Sequence, residues 1–173
     1  MRDYSNQKAE IETIRERAIT LRLSDADTVR ITEKAEGVGL TVAGLLESFI
    51  GDLVDGTYSN GSDERMYANE WFNRCGFSWM YEKTFLTFLI EWGNIQTILD
   101  TLDYIAECER DLEGATEEEE QEAIKEELEY QRREIEDYYK EYADTVEKPQ
   151  PYKDALEGIQ AYKDRLEAFK KGV

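Results

Sequence analysis

Histidine is missing altogether from these 173 residues, which removes the usual proton shuttle of neutral-pH catalysis and the main ligand of most catalytic zinc sites. Cysteine occurs twice, at Cys75 and Cys108, and two thiols without a secretion signal point to a reduced, cytoplasmic protein. Long apolar runs are lacking too. The best candidate for a membrane span, Trp79 to Trp92, is interrupted by Glu82, Lys83 and Glu91, so no membrane partner is expected. There is no glycine loop before a lysine to cradle phosphate and no serine elbow. The sequence therefore reads as non-enzymatic, with no catalytic residues, no cofactor and no metal site. Positive charge is scarce as well: 21 Lys and Arg stand against 40 Asp and Glu, a net of -19.

That imbalance is not spread evenly. Residues 95–147 hold 20 acids and 5 bases, whereas residues 1–56 hold 11 acids and 7 bases. The apolar content of 40% argues for a folded chain nonetheless. Three segments follow from composition: a head over 1–56, an aromatic-rich helical core over 57–94 and an acidic three-helix, coiled-coil-like region over 95–173. The expected fold class is mainly α.

In the head, Ile19, Leu21 and Leu23 alternate with Thr20, Arg22 and Ser24, the period of a strand with one covered face. Ser24, with Asp27 three residues on, predicts a capped helix carrying Val29, Ile31, Thr32 and Ala35. Gly37 and Gly39 stop it. Thr41 then caps a helix from Val42 to about Val54 that buries Leu45, Leu46, Phe49, Ile50 and Leu53. Before the strand, Ile11, Ile14 and Ala18 have the spacing of a short helix. A lone strand must find a partner, and the simplest partner is the same strand of a second copy.

The run Ile19-Thr-Leu-Arg-Leu-Ser, a helix, and then Gly39-Leu-Thr-Val-Ala-Gly-Leu-Leu resembles the ribbon-helix-helix family of bacterial and phage DNA-binding proteins. The resemblance covers residues 18–54. It implies a homodimer whose paired strands enter the major groove of duplex DNA. Thr20 and Arg22 would then face the bases with Ser24 nearby, and the amides around Thr41 and Val42 would meet phosphate. The second helix departs from that chemistry by offering Glu47, Asp52 and Asp55 and no basic residue.

After a turn-rich link at Asn60-Gly61, Asp63 is expected to cap a helix carrying Met66, Tyr67, Trp71, Phe72 and Cys75. Gly76 breaks it, and a further helix presents Phe85, Leu86, Phe88, Leu89 and Trp92. Three tryptophans and four phenylalanines between Tyr67 and Trp92 are best explained as core. Trp79 and Tyr81, near the turn, are the candidates for contact with a protein partner.

From Ile95 onward, Ile98, Leu102, Ile105 and Leu112 mark one helix. Thr116 is expected to cap a second that opens on four glutamates, favourable beside a helix N-terminus. Ile124, Leu128, Gln131, Ile135, Tyr138 and Tyr142 repeat as a coiled-coil seam. Lys148-Pro-Gln-Pro151 ends it, and Tyr152, Ala155, Ile159, Tyr162, Leu166 and Phe169 form the seam of the last helix, in an antiparallel bundle. The outward faces concentrate carboxylate at Glu113, Glu117, Glu118, Glu119, Glu120, Glu122, Glu126, Glu127 and Glu129. Such a face either solvates the bundle or imitates duplex phosphates toward a cationic channel in another protein.

The segment from Phe49 to Arg65, followed by Trp71-Phe72 and an acidic coiled coil, is similar to small accessory proteins of phages and mobile genetic elements. Some of these are anti-CRISPR inhibitors of the RNA-guided nuclease Cas9. That resemblance implies a bacterial host cell and an inhibitor that hinders target-DNA engagement or cleavage, its partner being Cas9 or another cationic nucleic-acid-binding protein. The alternative is a dimeric ribbon-helix-helix regulator of transcription or plasmid copy number.

Overall fold

The computed structural model describes residues 4–57, 59–77 and 79–172. They form eight helices and, among the described residues, no strand. The chain divides into two compact units, residues 1–81 with 172–173 and residues 82–171. The aromatic segment is shared between them.

The first unit contains α1 (Tyr4–Glu12), α2 (Asp25–Glu36), α3 (Val42–Leu53) and α4 (Ser62–Arg74). Ser24 caps α2 in both directions: its Oγ accepts from the Asp27 amide at 3.1 Å and donates to the Asp27 carboxylate at 2.7 Å. Gly37 closes the helix, and Gly39, at φ +77°, lets the Leu40 amide turn back onto the Ala35 carbonyl at 3.0 Å. Thr41 Oγ1 accepts from the Gly44 amide at 3.0 Å and starts α3. Past α3, the buried Asp52 carboxylate takes both the backbone and the side-chain amide of Asn60, at 2.7 and 2.8 Å, and so fixes the loop that leads to α4.

Three expectations are corrected here. Residues 14–24 carry no regular hydrogen-bonded structure, because a single chain supplies no second edge for the ribbon. The α4 cap is Gly61, without a side-chain bond, and Asp63 lies inside the first turn, where its charge suits the helix dipole. The apolar side of α4 is not core: Met66, Tyr67 and Trp71 are exposed and Phe72 is half-buried. The first unit has Ala35 and Ala68 as its fully buried apolar side chains among the described residues.

The second unit contains α5 (Phe85–Glu91), α6 (Ile95–Gly114), α7 (Glu118–Thr145) and α8 (Tyr152–Lys171). Thr84 and Thr87 form a reciprocal capping box at the start of α5. Trp92 follows that helix as its C-cap and is exposed rather than part of its apolar side. α6 and α7 make a long hairpin, linked across its outer side by Arg132 and Glu109 at 2.7 Å. α7 begins one residue later than expected. Glu117 is its N-cap with no side-chain bond, and the turn is held instead by the Gln121 side chain donating to the Ala115 carbonyl at 2.8 Å. Phe85, Leu89, Ile98, Leu99, Ile105, Cys108, Leu128, Ile135, Tyr142, Ala155 and Ile159 pack as one core. The seam residues of α7 and α8 named from the sequence thus face inward, Phe169 excepted.

Candidate functional site

The residues singled out by sequence fall in three places, two in the first unit and one in the second. On the head, Thr20, Arg22, Ser24 and Thr41 are exposed and Val42 is half-buried. Ile19, Leu21 and Leu23, the apolar members of the alternation, are each more than half exposed. The segment is therefore accessible on both sides. The stretch 14–24 carries three arginines, Arg15, Arg17 and Arg22, against one glutamate, Glu16. It is a cationic island in an acidic chain. Arg15 and Arg22 are open to solvent, whereas Nη1 of Arg17 is shielded and has no hydrogen-bond partner. The start of α3 follows Thr41, where free amides and the helix dipole favour an anion.

On the second unit, Glu113, Glu117, Glu118, Glu119, Glu120, Glu122, Glu126 and Glu129 are exposed and Glu127 is half-buried. They are not equally free. Glu127 accepts from Gln131 at 2.7 Å, Glu129 pairs with Arg133 at 2.8 Å, and Glu122 lies 3.9 Å from Lys125. Glu117, Glu118, Glu119 and Glu120 have no ion pair among the described residues. Glu118, Glu122 and Glu126 repeat once per turn, about 6 Å apart along the axis, and line one shallow hollow with Glu119 and Ala123.

Trp79 and Tyr81 are both exposed, in the turn after α4. What the sequence missed is their company. Trp71, Phe77 and Met80 are also exposed in the same unit, and helical spacing does not distinguish such a face from a core.

Electrostatic perturbation centres on the acidic hairpin. The Tyr104 hydroxyl is pushed above its ordinary value, first by its hydrogen bond with Cys108 and then by its electrostatic interactions with Cys108 and Glu127. Asp137 holds the Lys140 ammonium above its ordinary value through a 2.7 Å hydrogen bond and its charge. No group of three or more His, Cys, Asp or Glu that could hold a metal ion occurs among the described residues. Among the described residues, no helix is long and apolar enough to cross a membrane. No protein-family model, no curated protein and no solved structure matches the chain.

Proposed function

We propose that this chain is a dimeric, non-enzymatic regulator that binds duplex DNA through its ribbon-helix-helix-like head. The observation that carries this reading is the exposed alternation of residues 19–23 directly before the Ser24-capped helix, in a unit whose buried apolar side chains, among the described residues, are two alanines. An unpaired ribbon with a half-exposed apolar face gains both hydrogen bonds and burial by pairing with its equivalent in a second copy. Pairing also doubles the exposed arginines Arg15 and Arg22 in one dimer, which offsets the sparse cationic content of one chain. In this reading Thr20 and Arg22 read base edges, and the amides after Thr41 hold phosphate. Selection from a random duplex library is the test. A recovered sequence with two-fold symmetry supports the reading, and no enrichment over a scrambled head contradicts it.

A second reading is favoured by the free carboxylates Glu117–Glu120 at the start of α7. In it the chain inhibits a cationic nucleic-acid enzyme such as Cas9, the carboxylate rows taking the place of target-DNA phosphates and Trp79 and Tyr81 anchoring the contact. A cleavage assay with guide-loaded Cas9 tests it. Inhibition that is lost on reversing Glu117–Glu120 to lysine supports it, and full cleavage with excess protein contradicts it for that nuclease.

A further inference from the structure

We infer that the aromatic face built by α3, α4 and the turn after α4 forms part of a homodimer interface and is covered by a second copy of this chain. The inference rests on the dimeric reading of the head and extends it to residues outside the ribbon-helix-helix segment.

The face is organised by its own contacts but left uncovered. Phe49 on α3 meets Trp71 on α4 edge-on, with centroids 5.3 Å apart. Gly76, at φ +82°, reverses the chain so that Phe77 returns against Trp71 at 5.9 Å and Phe72 at 5.4 Å. A Cβ at Gly76 would lie 2.9 Å from the Met80 sulfur, so Met80 sits directly over the turn. Yet Trp71 is 47%, Phe77 54%, Trp79 69% and Met80 71% exposed, with Tyr67 at 63%. Apolar groups fixed in place and left in water are the mark of an interaction surface.

The area indicates what covers it. The three ribbon side chains, each about half exposed, supply on the order of 150 Å² of apolar surface, far short of the ~800 Å² per partner of a standard interface. The four aromatics Tyr67, Trp71, Phe77 and Trp79 add on the order of 450 Å². Because interfaces are only about 57% apolar, the combined surface corresponds to roughly 1,000 Å² per partner. The three ribbon side chains alone are too small to hold two copies; Val29, Leu40 and Ile50 of the same head are exposed as well, and with the aromatic face the surface reaches the size a stable dimer needs.

Light scattering across a concentration series, with wild type and two variants, tests this. Trp79→Ser/Met80→Ser alters only exposed side chains, and Leu21→Asp disrupts the ribbon; helicity by circular dichroism confirms folding of each. Wild type is expected at about twice the 20.2 kDa chain mass, and each variant should weaken dimerisation by at least about tenfold. Cys75 is exposed and Cys108 buried, so a short bis-maleimide should link two wild-type copies through Cys75 and fail with Trp79→Ser/Met80→Ser. If Leu21→Asp dissociates the dimer and Trp79→Ser/Met80→Ser does not, the inference falls and the ribbon reading stands. The opposite pattern sinks the ribbon reading and keeps the aromatic interface. A single-chain mass for wild type at every concentration overturns both, leaving the face to the chain's other unit or to a different protein.

Discussion

At the residue scale, the second unit is tied together by hydroxyls inside an aromatic cluster. Tyr142 is fully buried among Phe85, Phe88 and Tyr139. Its hydroxyl donates to the Lys83 carbonyl at 3.2 Å and accepts from the Gln150 amide at 3.1 Å. Tyr139 donates to the Gln150 carbonyl, and the Gln150 side chain accepts from the Phe85 amide at 3.1 Å. One glutamine thus joins the entry of α5 to the loop between α7 and α8. Tyr142→Phe keeps the ring and leaves two backbone groups short of a partner. It is expected to cost about 1–3 kcal/mol in urea denaturation; a change within about 0.3 kcal/mol would show that the hydroxyl is dispensable. Tyr152 carries a pH dependence. Burial, and then the Glu136 charge, push its hydroxyl above the ordinary value of 10.0. The folded state therefore holds this proton more tightly than the unfolded chain. Its contribution is intact below pH about 10 and is lost as pH rises through the higher folded value. Wild type should lose melting temperature more steeply than Tyr152→Phe above pH about 10, and parallel curves would contradict this origin.

At the element scale, the signals that were legible in sequence are those decided within one turn of chain. Ser24 and Thr41 cap α2 and α3 as their spacing implies, and Gly37 with Gly39 closes α2, because each bond reaches three to five residues. The seams of α7 and α8 were legible for a related reason. Twenty or more residues of regular repeat outweigh any local exception. The strand implied by the alternation of residues 19–23 is not formed, because a period of two reports a shared face and not the neighbouring edge that a strand needs. Asp63 and Thr116 were plausible caps that the helices do not use. Acidic first turns stabilise those starts through the dipole, and Gln121 does the tethering expected of Thr116. The aromatic pattern of α4 was read as core because periodicity reports which residues share a face, not whether the face is covered. At α5, seven residues long, the cap matters most. Thr84→Ala should remove about 1 kcal/mol from the second unit, read as a lower urea midpoint with an unchanged slope. No shift would mean that packing of Phe85 and Leu89 alone sets that helix.

At the scale of the whole molecule, the two units differ in how they are stabilised. All eleven members of the continuous core fall between Phe85 and Ile159, so a fragment of residues 82–171 is expected to fold alone with a cooperative transition; a non-cooperative melt would contradict this. The first unit, with its uncovered ribbon and aromatic face, is expected instead to gain stability with protein concentration. Charge divides along the same line, with cations at the ribbon and carboxylates on the α6–α7 hairpin. In the proposed regulator reading, that division makes DNA binding depend on a few arginines. With Arg22 on base edges, two copies of Arg15 leave two exposed cations for phosphate, so the slope of log K against log salt should lie at about -2. The most direct test of the account is anisotropy of a selected, two-fold-symmetric duplex titrated with wild type and Arg22→Ala. The account predicts two chains bound per site, that salt slope, and at least about tenfold weaker binding for Arg22→Ala with relaxed base preference. Wild type that binds no duplex even at low salt, or an Arg22→Ala protein that binds as tightly and as selectively, would contradict it.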